Sequence, residues 1–142
     1  MTYTFSKNSK EKLATCHPEL QILWEEVIKH VDCIIICGHR SKEDQDFAFS
    51  KKNSKVQWPN SKHNSIPSKA TDVAPYFKGV GIDWEDTIAF SYFAGKVMMI
   101  AERLHLVGLM PHKLRWGGDW DGDGKNKDQT FNDLVHFELK EE

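Results

Sequence analysis

Ionisable side chains set inside otherwise apolar, strand-like segments constrain this chain more than any other feature. Asp72 stands within Ala70-Thr71-Asp72-Val73-Ala74, and His136 within Val135-His136-Phe137-Glu138-Leu139. An aspartate is almost never buried without a partner, so the fold has to supply one. Each segment has a candidate at short range: His63 nine positions before Asp72, and Asp133 three positions before His136. A fold in which the two segments meet gathers two imidazoles, a carboxylate and a spare carboxylate. Taken singly, each has a plainer reading: a surface His63, an Asp72 satisfied by loop amides, a structural core His136, a turn Asp133.

The rest of the chain is that of an α+β protein with room for one core. At 142 residues it is most simply a single domain, 1–142, without need of disulfide staples. Pro18 to Val31 reads as a helix with proline in its first turn and Leu20, Leu23, Trp24, Val27, Ile28 and Val31 as its apolar stripe. Cys33-Ile34-Ile35-Ile36-Cys37 is a short β-branched run stopped by Gly38, a buried strand. Ser41 caps a polar helix to about Phe49, and residues 50–69 form a long loop that delivers His63. Asp72-Val73-Ala74 is a strand ended by Pro75. The longest helix spans Trp84 to about Val107, capped by Asp83 and stopped by Gly108, with Trp84, Ile88, Phe93, Val97, Ile100, Ala101 and Leu104 facing inward. Two more strands cover 114–116 and 135–139. In the second, His136 and Glu138 share one face.

Composition excludes several classes. Lys plus Arg is 19 against 21 for Asp plus Glu, which argues against a strong grip on nucleic acid. No window is apolar enough to span a membrane, and no signal peptide is visible, so synthesis in the cytoplasm is expected. Cys33 and Cys37 stand roughly 13 Å apart on one strand, beyond disulfide reach, so Cys16, Cys33 and Cys37 read as buried thiols.

His63, Asp72 and His136 match the need of a catalytic zinc site: three protein ligands, an open position for water, and a base close by, here Asp133. Structural zinc sites are usually closed by a fourth ligand, often cysteine, and no cysteine adjoins either segment. Arg40, at the end of the first strand, offers a guanidinium to a carboxylate or a developing oxyanion, with Gln45 one turn on. His17, His30, His39, His105 and His112 have no ligand-like companions in sequence. Asp119-Trp120-Asp121-Gly122-Asp123-Gly124 starts like a calcium loop, but Thr130 stands where a bidentate glutamate belongs. An acidic turn is the first reading, and weak calcium binding at Asp119, Asp121 and Asp123 the second.

Five segments in this order resemble the M15 family of zinc peptidases, closest to its phage endolysin branch. They are Gly38-His39-Arg40-Ser41 with Gln45, Ser61-Lys62-His63, Ala70 to Tyr76, Leu114 to Trp120, and Asp133 to Glu138. The resemblance implies a small antiparallel sheet flanked by helices, the Hedgehog/DD-peptidase-like fold. It implies zinc on His63, Asp72 and His136, Asp133 as base, Arg40 as oxyanion or substrate contact, and Gln45, Ser61 and Trp116 along a substrate groove. The spacing from His63 to Asp72 is longer than the commoner family form, with Pro67 in place of a glycine. Asp133 stands where D,D-carboxypeptidases usually carry glutamate, which tilts the implied substrate toward the L-alanyl-D-glutamate bond of the peptidoglycan stem peptide. A monomeric endolysin reaching the wall through a membrane pore is the expectation. A carboxypeptidase with the same zinc site, or a wall-binding module without turnover, are the alternatives.

Overall fold

The computed structural model describes residues 2–141 and shows one four-stranded antiparallel sheet with helices against it. Along the chain run α1 (Lys7–Leu13), α2 (Pro18–Val27), β1 (Cys33–Cys37), α3 (Lys42–Ser50), β2 (Ala70–Pro75), α4 (Thr87–Leu106), β3 (Leu114–Gly117) and β4 (Asp133–Leu139). The strand order is β1-β2-β4-β3, so the expected α+β class with a small antiparallel sheet holds. Among the described residues no helix is long and apolar enough to cross a membrane.

Strand alternation divides the sheet into two faces. Thr71, Val73, Phe137 and Leu139 point to the helices, whereas Asp72, His136 and Glu138 point away. On the helix side, Trp24 of α2, Phe93 of α4 and Phe137 of β4 form a buried aromatic trio with ring centroids 5.2–6.3 Å apart. Trp24 carries a polar indole N–H into this core and donates it to Thr71 Oγ1 at 2.8 Å. Truncating one such aromatic costs about 3–5 kcal/mol.

Two element boundaries differ from the sequence reading, and one helix is additional to it. Helix α2 ends at Val27 with Ile28 as its cap, because the next amides switch to tighter bonds such as His30 N to Val27 O. Helix α4 starts at Thr87 rather than Trp84: Asp86 accepts from Ala89 N, while Asp83 is used in the preceding turn against Glu85 N. Its buried face is Phe90, Phe93, Ala94, Val97 and Ala101, so Trp84 and Ile88 lie exposed, Trp84 stacking on Phe90 at the surface. Helix α1, too short to show a period, is capped by Ser6 and packs against β1. A Cβ at Gly38 would collide with Thr15 and the Lys12 carbonyl, so this contact needs glycine there.

The long loop after α3 crosses the polar face of the sheet and contains a single 3-10 turn, Lys62–Asn64. Ser61 and Asn64 close a capping box on it, which sets His63. All three cysteines are free; Cys16 and Cys33 are buried and Cys37 is half-buried. Burial pushes the Cys16 thiol up to about 12, an inert small side chain.

Candidate metal centre

Register brings the ionisable residues together. Asp72 of β2 pairs with Cys37 on one side and His136 on the other, and Asp133 opens β4 opposite Gly117. The 3-10 turn lays His63 over Asp72. His63 Nε2 then stands 3.1 Å from Asp72 Oδ1, and His136 Nδ1 stands 3.3 Å from the same oxygen. Donor atoms of His63, Asp72 and His136 all lie within 4.8 Å of one another, so this group could hold a metal ion.

The outer nitrogen of each ring is fixed. His63 Nδ1 lies 2.7 Å from the Gly38 carbonyl oxygen, which can only accept, so Nε2 is left to face Asp72. His136 Nε2 lies 2.8 Å from Glu138 Oε1. Asp133 Oδ2 sits 3.9 Å from His136 Nδ1, at the rim of the cluster. Its close seat depends on Gly117, where a Cβ would collide with the Asp133 carbonyl.

Charge is tightly balanced. Burial alone would raise the Asp72 carboxyl, yet His63 and His136 hold it far below the usual carboxylate range. Burial opposes charge on both rings, but Asp72 raises His63, and Asp72 with Glu138 raises His136. Asp72 thus favours positive charge beside it, and a divalent cation can supply that charge with the same three donors. Two neutral imidazoles and a carboxylate fit zinc. Burial and the charge of Asp72 push Asp133 up to about 6, against the pull of His136, His63 and Arg40.

Arg40 donates from Nη1 to Gln45 Oε1 at 3.0 Å and from Nη2 to Asp72 Oδ2 at 3.2 Å, and its side chain lines the groove above the cluster. His39, its neighbour, turns the other way and meets the Ser65 carbonyl. The groove holds about 360 Å³, with Ser61, Lys62, Arg115, Trp120, Phe131 and Asp133 among its walls. Two expected groove residues lie elsewhere. Gln45 is fully buried, its amide donating to Ser54 Oγ and the Val56 carbonyl. Trp116 packs on the core and donates to the Leu134 carbonyl.

Trp120 takes the wall position instead, tilted 5.5 Å from the His136 ring and stacked on Phe131. In sequence its segment stands out for its aspartates, and nothing there marks the tryptophan as the part that reaches the site. Lys62, Arg115 and Glu138 also adjoin the cluster, and Glu138 had one signal: its shared face with His136. Outside the site, His17 and His112 do have a carboxylate companion. Glu19, distant in sequence from His112, accepts its backbone N–H and meets its Nδ1 at 2.7 Å. Asp119, Asp121 and Asp123 bring carboxylate oxygens within 4.8 Å of one another, and Asp119 Oδ1 is buried with no hydrogen-bond partner among the described residues.

The family of phage L-alanyl-D-glutamate peptidases matches residues 1–140. The chain belongs to that family. It is 32% identical over 144 residues to the L-alanyl-D-glutamate peptidase of Escherichia phage T5, covering 98% of this chain and 99% of that protein. The crystal structure of Serratia marcescens L-Ala D-Glu endopeptidase ChiX superposes with a TM-score of 0.70, over 96% of this chain and 89% of that one. At 24% identity ChiX speaks to the fold, which is shared.

Proposed function

We propose that this chain is a single-domain zinc endopeptidase that cuts the L-alanyl-D-glutamate bond of the peptidoglycan stem peptide, as a phage endolysin. The observation that carries the reading is the convergence of His63, Asp72 and His136, with Asp133 at its rim, in a member of this peptidase family. His63 Nε2, Asp72 and His136 Nδ1 would hold the ion. Bound there, zinc supplies Lewis acidity, polarising the scissile carbonyl and lowering the pKa of a water to about 7.

The chain's own groups do the rest. Asp133 takes the proton of the attacking water and returns it to the leaving amine. Arg40 lines the groove and has guanidinium N–H groups beyond those bound to Gln45 and Asp72, which would serve a developing oxyanion. Gln45 serves by holding Arg40, and Ser61 and Trp120 shape the walls. A monomer acting on the wall after release through a membrane pore fits this role. Weak calcium binding is the second reading of the Asp119–Asp123 loop, after an acidic turn, and the unpartnered buried oxygen of Asp119 supports it.

Digestion of purified peptidoglycan, with product masses and new amino termini identified, tests the reading. New D-glutamate amino termini, lost with a chelator and restored by zinc, are expected. Free D-alanine as the product overturns the bond assignment in favour of a carboxypeptidase.

A further inference from the structure

Glu138 is the most heavily engaged carboxylate outside the ligand set, and its two oxygens have separate partners. Oε2 takes the cations: Arg115 donates from Nη2 at 2.8 Å and from Nε at 3.2 Å, and Lys62 Nζ lies at 3.3 Å. Oε1 is left for His136 Nε2, at 2.8 Å. The side chain is buried, and among the described residues these are its hydrogen-bond and ion-pair partners. Each partner comes from a different element. Lys62 precedes His63 in the 3-10 turn and also donates to the Leu139 carbonyl, Arg115 is the register partner of Glu138 on β3, and His136 lies two residues away on the same face of β4.

We propose that Glu138 is a positioning residue for the metal centre: by accepting the Nε2 proton of His136, it fixes the ring so that Nδ1 faces Asp72 and His63. The two rings are then held by the same device with different acceptors, the Gly38 carbonyl behind His63 and the Glu138 carboxylate behind His136. With Arg115 and Lys62 gathered at Oε2, Oε1 is the acceptor that faces His136 Nε2, and a ring that donates from Nε2 leaves Nδ1 free for the cluster. Glu138 also makes the imidazole a better donor, as an outer carboxylate does for a metal-bound histidine. Arg115 and Lys62 are the counter-charges that let this carboxylate be buried.

The inference rests on His136 being a metal ligand, and the test separates the two. Zinc affinity is measured by competition with a chromophoric chelator for the wild type, Glu138→Ala and Glu138→Gln, with the imidazole N–H resonances of zinc-loaded, ¹⁵N-histidine-labelled protein followed by NMR. Glu138→Ala is expected to weaken zinc binding roughly 10–100-fold and to remove the hydrogen-bonded Nε2–H signal of His136. Glu138→Gln keeps the shape and an acceptor oxygen, so it falls between the two, and it carries the test if the alanine variant does not fold. Zinc affinity within twofold of wild type in the folded variants, with the His136 signal unmoved, overturns the inference and leaves the zinc reading standing. A wild type that binds no zinc overturns the zinc reading and this inference with it.

Discussion

At Asp133 two influences oppose ionisation, burial and the charge of Asp72, and His136, His63 and Arg40 resist them; the balance pushes the carboxyl up to about 6. A proton is thus held more tightly than on an ordinary aspartate, and the protonated form cannot act as a base. A bound divalent cation lowers that value, so activity of the zinc-loaded enzyme should hold above about 6 and fall on acidification below it. Initial rates across pH 4.5–8 check this, and a rate that rises on acidification would contradict it. Asp133→Asn should keep zinc, lower kcat by about 10²–10⁴-fold and remove the acidic limb. Near-full activity in that variant would take Asp133 out of the mechanism. His63, Asp72, Asp133 and His136 were legible in the sequence because ionisable groups in apolar segments demand partners. Lys62 and Arg115 were not, since a surface cation and one paired to a buried carboxylate look alike until the sheet register is known.

Elements carry those residues to their places, and the β3–β4 pair is the sharpest case. Gly117 lies against Asp133 so closely that any side chain must push β4 aside. Gly117→Ala should lower both the melting temperature and kcat, while zinc stays bound, because His136 sits further along the strand. Loss of zinc together with activity would instead place the damage at His136. Strand β1 matched its sequence span because a β-branched run flanked by turns has few alternatives. The start of α4 did not, because Asp83 and Asp86 are both competent caps and only the surface turn decides between them. Gln45 and Trp116 carried a right neighbourhood and a wrong direction: sequence places them near Arg40 and β3, but burial turns both side chains from the groove.

Over the whole molecule, the sheet has one face for stability and one for chemistry. The aromatic trio of Trp24, Phe93 and Phe137 fastens the strands from below, while the 3-10 turn clamps His63 from above. Metal binding should then add to folding stability without being its only source. At a hundredfold excess of zinc over Kd the gain is about 2.7 kcal/mol, or roughly 9 °C in Tm for a domain of this size. Differential scanning calorimetry with and without zinc reads it, and His136→Ala should show no such shift.

The most direct test of the central claim is a zinc titration of chelator-stripped protein, with peptidoglycan cleavage and bound metal measured on the same samples. The arrangement of His63, Asp72 and His136 predicts that activity returns in proportion to the first ion bound per chain. Full activity in the stripped protein, or activity that ignores zinc occupancy, would contradict it.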